Sequence, residues 1–264
     1  MTSKRLTVVI PCYNHGEYLA EAVESVRQVR RNDVELIVVD DGSTDDYTRK
    51  EMDRLSSEGV FVIRQKNGGL AAARNAGIRA AKGEYILPLD ADNRIHPDYA
   101  NEGIRILDTN PRVGVVYADA NYFGTRSGRW RVGPFDKYRL LTWNFIDACA
   151  VYRRTVWEQN QGYDGTMPVQ GLEDWDFWLG TMAHSWLFFY VPRILFDYRV
   201  GKESMITQTY SRKAEITRFI TAKHSQLYVQ AFLALNPTSL TDTLHHAKKL
   251  LQSKIAEKTW RVRG

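Results

Sequence analysis

The chain has 264 residues, 44% of them hydrophobic, which is enough to bury the core of one large domain or of one domain with an appendage. No apolar run approaches the roughly 20 residues of a membrane-spanning helix. The run Leu6 to Ile10 is too short for the apolar part of a signal peptide. The two cysteines show no metal-binding or redox spacing, so we expect a reducing, cytoplasmic compartment.

The net charge of +5 is unevenly distributed along the chain. Residues 206–264 contain ten Lys and Arg against three Asp and Glu, a balance of +7, which leaves −2 for residues 1–205. A uniform basic surface, as in many nucleic-acid-binding proteins, is therefore absent, and we expect no nucleic-acid partner. The charge indicates a separate basic C-terminal extension.

Short apolar runs alternate with helical patterns through the first hundred residues. The predicted strands are Leu6–Ile10, Glu35–Asp40, Val60–Arg64 and Tyr85–Leu89. The predicted helices are Leu19–Val26, Tyr47–Ser57 and Gly69–Lys82. This alternation is typical of βαβ units and predicts an α/β fold with a mostly parallel sheet flanked by helices.

The pattern changes after Pro97. We predict strands at Val113–Tyr117, Leu187–Val191 and Ile194–Tyr198, an aromatic, loop-rich segment at Asp119–Trp143, and helices at Val151–Gln159 and Leu172–Ala183. Two amphipathic helices are predicted beyond Ser211, with a break near Asn236-Pro237. The first presents Ile216, Phe219, Ile220, Leu227 and Ala231, and the second presents Leu240, Leu244, Ala247 and Leu251.

Unusual polar segments follow three of the predicted parallel strands. These segments are Pro11-Cys12-Tyr13-Asn14, Asp40-Asp41 and Asp90-Ala91-Asp92. Ligands of open α/β sheets bind at the carboxyl ends of the strands, so we expect the three segments to form one site. Mg²⁺ is usually held by one or two carboxylates together with substrate phosphates. The last segment therefore predicts a divalent cation that binds with a phosphorylated ligand.

Two common phosphate-binding sequences are absent. The first turn lacks G-x-G-x-x-G, and no Walker A sequence occurs anywhere in the chain. A dinucleotide-binding interpretation is thereby excluded. Phosphate must instead be held by a metal ion and by side chains.

Four segments show a more specific similarity. In order, VVIPCYNHGEYLAEAVESV, ELIVVDDGSTD, NGGLAAARNAGIRAAKGEYILPLDAD and GLEDWDFWLG resemble the successive blocks of the family 2 inverting glycosyltransferases, which have the GT-A fold. The resemblance extends from residue 6 to about residue 205. It implies a catalytic domain at 1–205, with a nucleotide-sugar-binding half (1–100) and an acceptor-binding half (101–205). Residues 206–264 would form a helical basic extension.

The resemblance implies roles for the residues that would hold the donor. Pro11 and Tyr13 would shape the base pocket, with Tyr13 stacking on the base. Asp41, with Asp40 beside it, would accept a hydrogen bond from the base imide, which suits uracil.

Further roles concern the phosphates and the reaction. Arg74 would lie near the diphosphate. Asp92 would ligate Mn²⁺ or Mg²⁺, while Asp90 would contact the metal or the ribose. Asp174 would be the general base.

Of the two neighbours of the predicted base, Glu173 would contact the acceptor, and Trp175 would either stack on an acceptor sugar or pack in the core. Inverting transfer needs one carboxylate for the metal, which neutralises the departing diphosphate, and another that takes the proton of the acceptor hydroxyl. Many relatives carry a His after the Tyr-Arg pair, but here Val200 and Gly201 follow, so a third protein ligand to the metal is not expected.

The implied function is metal-dependent transfer of a sugar, most simply from a UDP-linked donor, to a glycan or lipid-linked acceptor in surface polysaccharide assembly of the cell envelope. A sugar nucleotidyltransferase and a non-catalytic nucleotide-sugar-binding scaffold are the alternatives. The basic extension predicts a peripheral contact with the inner face of the membrane. The alternatives are that it forms a helical cap on the catalytic domain or a contact in a homo-oligomer. Release of nucleoside diphosphate would distinguish the three functions.

Overall fold

The first half of the chain alternates between buried strands and amphipathic helices, as its sequence predicts. The computed structural model describes residues 4–201 and 211–235. Its first elements are β1 (Leu6–Cys12), α1 (Gly16–Arg27), β2 (Val34–Asp40), α2 (Asp46–Ser57), β3 (Phe61–Arg64), α3 (Leu70–Ala80) and β4 (Tyr85–Pro88).

The second half adds strands of both directions and several helices. Its elements are β5 (Arg94–Ile95), α4 (Asp98–Thr109), β6 (Val113–Gly124), β7 (Gly128–Trp130), α5 (Lys137–Thr142), β8 (Val151–Arg153), α6 (Arg154–Gln159), α7 (Glu173–Ala183), β9 (Leu187–Val200) and α8 (Lys213–Lys223). A further helix, α9 (Ser225–Leu235), begins a second compact unit, whereas α8 belongs to the unit that contains the sheet.

The described strands form one sheet in the order β3-β2-β1-β4-β8-β6-β9-β5, with β7 paired to β6. Strands β1 to β4 are parallel to one another, and β6 is parallel to β9. Strand β8 runs antiparallel between β4 and β6, and β5 and β7 are also antiparallel to their partners. The predicted α/β fold with flanking helices is confirmed, and the parallel part contains the carboxyl ends of β1, β2 and β4.

Close packing of α3 against the sheet fixes the position of the residues that this helix carries. A Cβ atom on Gly77 would lie 2.3 Å from Cγ1 of Val9 and 3.1 Å from Cγ2 of Val39. Both valines are fully buried in β1 and β2. The glycine therefore permits an approach that any side chain would prevent.

The predicted helix at Val151–Gln159 is partly wrong. Residues 151–153 form strand β8, and the helix occupies only residues 154–159. Val151 and Tyr152 are fully buried, and β8 pairs with β4 and β6. Insertion between two strands overrides the local helical pattern.

The segment Asp119–Trp143 is more regular than predicted. Strand β6 continues to Gly124 and pairs with β7, and α5 follows. Asp119 interrupts the apolar pattern, but its carboxylate is satisfied by Arg129, whose Nη2 lies 2.6 Å from Oδ2. The stacked rings of Tyr122 and Trp130 then join β6 to β7.

Two other differences concern element boundaries. The two strands predicted at Leu187–Val191 and Ile194–Tyr198 are one strand, β9, whose pairing register with β6 shifts after Val191. Helix α4 was not predicted, although its apolar face, which includes Tyr99 and Leu107, is fully buried.

The C-terminal prediction is only partly covered by the structure. Ile216 and Ile220 of α8 are buried, as the amphipathic pattern predicts. The first predicted helix is divided at His224 into α8 and α9. The second predicted helix lies outside the described residues, and so do its basic side chains. Within the described part of the chain, every helix is too short or too polar to cross a membrane.

Replacement of Gly77 by alanine tests the packing of α3 on the sheet. The added Cβ must displace Val9, and overpacking a core costs about 1–3 kcal/mol of unfolding free energy. This loss should exceed the roughly 1 kcal/mol that alanine gains over glycine in a helix. We expect chemical denaturation to show a net loss of stability. The control is Gly165→Ala, because no atom lies within 4 Å of a Cβ there. Equal stability of the two variants would contradict the packing argument.

Candidate active site

A cleft of about 1070 Å³ opens at the carboxyl ends of β1, β2 and β4. Eight of the residues singled out from the sequence line it: Pro11, Tyr13, Asp41, Arg74, Asp90, Asp92, Glu173 and Asp174. Asp40 and Trp175 are not among the lining residues. The sheet therefore brings together side chains that are up to 163 positions apart, as the parallel topology predicts.

The loops after β1 and β2 are fastened to each other. The side-chain oxygen of Asn14 accepts hydrogen bonds from the backbone N–H groups of Thr44 (2.8 Å) and Asp45 (3.2 Å). The backbone N–H of Asn14 donates to Oγ of Ser43 at 3.1 Å. Tyr13, which precedes this anchor, is 45% exposed at the mouth of the cleft. Its ring is available for stacking against a planar ligand.

The two neighbouring carboxylates Asp40 and Asp41 differ in environment. Asp40 points back into its own turn, where Oδ1 accepts a hydrogen bond from the N–H of Ser43 at 2.9 Å. Asp41 lines the cleft and holds the loop that leads into α3. Its oxygens accept from the N–H groups of Gly68 (2.9 Å) and Gly69 (2.8 Å) and from Nε2 of Gln65 (2.7 Å). Asp41 is thus the carboxylate of the pair that faces a ligand.

Arg74 of α3 joins two carboxylates from distant parts of the chain. Its Nη2 lies 2.7 Å from Oδ1 of Asp90, and its Nη1 lies 2.6 Å from Oε1 of Glu173. The arginine side chain is only 2% exposed. Burial alone would lower its pKa, but the charges of Asp90 and Glu173 outweigh burial and raise the pKa. The guanidinium therefore stays charged as a buried bridge between the two acids.

Hydrogen bonds from Arg199 of β9 hold the turn that carries Asp90 and Asp92. The N–H of Asn93 donates to the carbonyl of Asp90 at 3.0 Å and closes the turn. Nε of Arg199 donates to the carbonyl of Asp92 at 3.0 Å, and the N–H of Arg199 donates to Oδ1 of Asn93 at 2.8 Å. These contacts fix the backbone of the turn, and the Asp92 side chain lines the cleft.

The carboxyl group of Asp92 has an unusual environment. Burial, followed by the negative charge of Asp90, raises its pKa to about 6. A cation beside the pair would remove this penalty, and carboxylates are ligands that Mg²⁺ and Mn²⁺ prefer. Within the described residues, no three His, Cys, Asp or Glu side chains are clustered to hold a metal ion by themselves. The residues present fit a cation that takes its remaining ligands from a bound phosphate and water.

Asp174 lies in the first turn of α7 and lines the same cleft as the Asp90–Asp92 turn. Its Oδ1 accepts from the N–H of Trp175, and its Oδ2 accepts from Nδ2 of Asn144, both at 2.8 Å. Burial and the charge of Glu173 raise its pKa well above the usual range, although Arg74 acts in the opposite direction. A raised pKa makes the ionised carboxylate a stronger base than an exposed one.

The two residues predicted to contact an acceptor have other partners. Trp175 is fully buried, and its Nε1 donates to the carbonyl of Leu140 at 2.6 Å. A ring with no exposed face cannot stack on a sugar, so the structure gives this predicted contact no support. Glu173 lines the cleft, but its Oε1 binds Arg74 and its Oε2 accepts from the N–H of Gly171 at 2.8 Å. Both carboxylate oxygens of Glu173 therefore bind groups of the protein itself and stabilise the wall of the cleft.

Among the carboxylates that line the cleft, sequence reasoning assigned no role to Glu17 or to Asp147, and Asp147 has the more unusual environment. Burial, followed by the charge of Asp90, raises its pKa to about 7. The residue lies in the loop between α5 and β8, outside the three strand ends that direct attention to the other acids. The available signal is a lone carboxylate in the apolar run Phe145-Ile146-Asp147-Ala148-Cys149.

Comparison with known proteins links this chain to one family. The profile of the family described as Glycosyl transferase family 2 matches residues 7–167. EpsH of Bacillus subtilis, provisionally named a glycosyltransferase, is 27% identical over 81% of this chain and 65% of its own length. The glycosyltransferase GlyG of Streptococcus pneumoniae is 43% identical over 46% of this chain and 43% of its own length. The chain thus spans less than two thirds of either relative.

Two solved structures resemble the fold. TarS 1–349 of S. aureus in complex with UDP-GlcNAc gives a TM-score of 0.69 over 83% of this chain and 66% of that chain. The mannosyltransferase PcManGT of Pyrobaculum calidifontis, in complex with GDP-Man and Mn²⁺, gives 0.58 over 98% of this chain and 84% of that chain. Each is 18% identical, so the likeness shows the fold alone, and it agrees with the predicted GT-A fold.

Replacement of Arg74 by methionine tests the buried bridge. Methionine is of similar length but leaves Glu173 buried without its cation, and loss of one partner of a buried pair costs about 3–5 kcal/mol. We expect urea denaturation to show a loss of this size. The control is Arg105→Met, which removes the exposed pair with Glu102 and should cost at most about 1 kcal/mol. If Arg74→Met is no less stable than this control, Arg74 does not hold the site together.

Proposed function

Because the chain belongs to glycosyl transferase family 2, we propose that it is an inverting glycosyltransferase that moves a sugar from a UDP-linked donor to a hydroxyl group. The observation that carries the proposal is the shared cleft of Asp92 and Asp174. One carboxylate is placed for a cation and phosphate, and a second, separately anchored carboxylate is placed to accept a proton. Inverting transfer requires these two functions at once.

The base of the donor nucleotide binds between the loops after β1 and β2. Pro11 and Tyr13 form one wall, with the exposed Tyr13 ring stacked on the base. Asp41 offers its remaining lone pair to the imide N–H of uracil, which adenine and cytosine lack. Support for a nucleotide-sugar donor comes from the similar folds of TarS and PcManGT, each of which is described in complex with one.

A divalent cation, Mn²⁺ or Mg²⁺, fits the Asp90–Asp92 turn together with the diphosphate. Asp92 would be its main protein ligand, because Oδ1 of Asp90 already accepts a hydrogen bond from Arg74. When bound, the ion supplies positive charge that stabilises the departing diphosphate. Asp90 has its other oxygen for the metal or the ribose. Arg74 acts on the diphosphate side of the cleft mainly by holding Asp90 in place. It is not a free cation that could bind the phosphates directly.

Asp174 is the general base of the proposed reaction. The bonds from Trp175 and Asn144 fix its orientation and leave one lone pair on each carboxylate oxygen, either of which can accept from the acceptor hydroxyl. Asp174 takes the hydroxyl proton as the oxygen attacks the anomeric carbon opposite the diphosphate. This direction of attack inverts the configuration of that carbon.

The proposed acceptor is inferred from family membership alone. We assign it to a glycan or lipid-linked glycan of surface polysaccharide assembly at the cytoplasmic face of a membrane. The basic extension beyond residue 205 would bring the protein to such a membrane, and its most basic part lies outside the described residues.

Ligand-induced stabilisation tests the donor and the cation together. A ligand present at 100 times its Kd stabilises the native state by about 2.7 kcal/mol. We expect UDP with Mn²⁺ to raise the melting temperature, and UDP with EDTA, or CDP or ADP with Mn²⁺, to raise it much less. Asp92→Asn should abolish the effect of Mn²⁺, whereas the exposed Asp53→Asn serves as the control. Equal shifts with all nucleotides, or an unchanged shift with EDTA, would contradict the proposed donor site.

Replacement of Asp174 by asparagine tests the base. Asparagine keeps the shape but cannot take the proton, and loss of a general base lowers kcat by roughly 10²- to 10⁴-fold. Donor affinity should be unchanged, because the residue faces the acceptor. UDP release and calorimetric donor binding measure the two quantities. Normal turnover of the variant would remove Asp174 from the reaction. Release of pyrophosphate from nucleoside triphosphate and sugar phosphate would instead identify a nucleotidyltransferase, and binding without turnover would identify a scaffold.

A further inference from the structure

Asp147 is a carboxylate in a segment that is otherwise apolar and buried. Its neighbours Phe145, Ile146, Ala148 and Cys149 are at most 5% exposed. A charged group placed among such neighbours is costly unless a partner satisfies it. The general base and the cation site of the proposed reaction both have named residues already, so Asp147 has no role in them.

The backbone around Asp147 is fixed from several sides. The N–H of Cys149 donates to Oδ1 of Asp147 at 2.8 Å. The hydroxyl of Tyr99 donates to the carbonyl of Cys149 at 2.7 Å, and Nε1 of Trp178 donates to the carbonyl of Ile146 at 3.0 Å. These bonds join the segment to α4 and α7. The carboxylate is therefore held in one orientation by the core.

One oxygen of this fixed carboxylate remains for a ligand. Oδ1 is occupied by Cys149, while no donor in residues 4–201 and 211–235 hydrogen-bonds to Oδ2. Asp147 lines the cleft. The side chain thus presents an acceptor, without a donor, to whatever fills the cleft at this point.

Asp147 lines the same cleft as Asp90, Asp92 and Asp174. Asp90 and Asp92 raise the pKa of Asp147 by their charge, and the charge of Asp147 in turn raises the pKa of Asp174. The carboxylates proposed to hold the cation, the proposed base and Asp147 thus line one continuous cleft. In the proposed reaction, the sugar that is transferred must occupy the space between the cation and the base.

We propose that Asp147 accepts a hydrogen bond from a hydroxyl group of the transferred sugar and so helps to select which sugar the protein uses. The inference rests on the proposed function. A sugar ring presents hydroxyl donors, whereas a carboxylate only accepts, so the two are complementary. A site built to bind a hydroxyl discriminates strongly against a donor that lacks it, because its own polar group is then left unpaired.

The test compares binding of a nucleotide sugar with binding of the nucleotide alone. Asp147→Asn retains an oxygen for the N–H of Cys149, so the segment should fold, and its melting temperature checks this. Calorimetry with Mn²⁺ would measure Kd for UDP and for a panel of UDP-sugars that differ at single hydroxyl groups. We expect the variant to bind the preferred UDP-sugar about tenfold more weakly, as for loss of a hydrogen bond to a charged group, with UDP affinity unchanged. One deoxy-sugar that binds poorly to the wild type should bind both proteins almost equally.

The outcomes separate this inference from the function beneath it. If the wild type binds no nucleotide sugar, both are overturned. If the wild type binds and transfers, but the variant keeps the same sugar preference, only the role of Asp147 is overturned. Equal weakening of UDP and UDP-sugar would place Asp147 at the phosphates or the cation instead, and loss of kcat with unchanged donor affinity would make it a base. Asp53→Asn is the matched surface control and should behave as the wild type.

Discussion

The buried guanidinium of Arg74 is the contact on which the rest of the cleft depends. It binds Asp90, in the turn after β4, and Glu173, at the start of α7, and the two acids are 83 positions apart in the chain. Asp90 lies two positions before Asp92, and Glu173 lies directly before Asp174. Asp92 and Asp174 are the residues proposed to act in the reaction. One side chain therefore sets the spacing between the cation side and the base side of the cleft.

This construction also explains how so many carboxylates share one cleft. Burial and mutual repulsion raise the pKa values of Asp92, Asp147 and Asp174, and Arg74 offsets part of this for Asp147 and Asp174. The protein gives up stability here to keep acidic groups near a bound ligand. In the proposed reaction the remaining repulsion is relieved by the cation at Asp92, by a hydroxyl at Asp147 and by the proton that Asp174 receives. The pKa values are thus raised first by burial in the fold and then by the neighbouring carboxylates.

The sequence predicts the strand ends well, because period and loop polarity are local signals. Asp41, Asp92 and Asp174 are expected at the cleft and line it, and the parallel direction of the first four strands follows from their alternation with helices. What local patterns could not show was long-range pairing. Residues 151–153 follow a helical pattern but form β8, because they pair with β4 and β6. The charged Asp119 interrupts the apolar pattern of β6, and the strand continues past it because Arg129 pairs with its carboxylate. The burial of Trp175 and the bridging role of Arg74 likewise depend on partners far away in the chain.

Anomalous diffraction from crystals soaked with Mn²⁺ and UDP-sugar tests the central claim most directly. The account predicts one manganese peak within coordination distance of the Asp92 carboxylate and of a diphosphate oxygen, with Arg74 still paired to Asp90 and Glu173 and the anomeric carbon facing Asp174. A manganese ion bound away from Asp92, or an Arg74 that leaves Glu173 to bind the diphosphate, would contradict it.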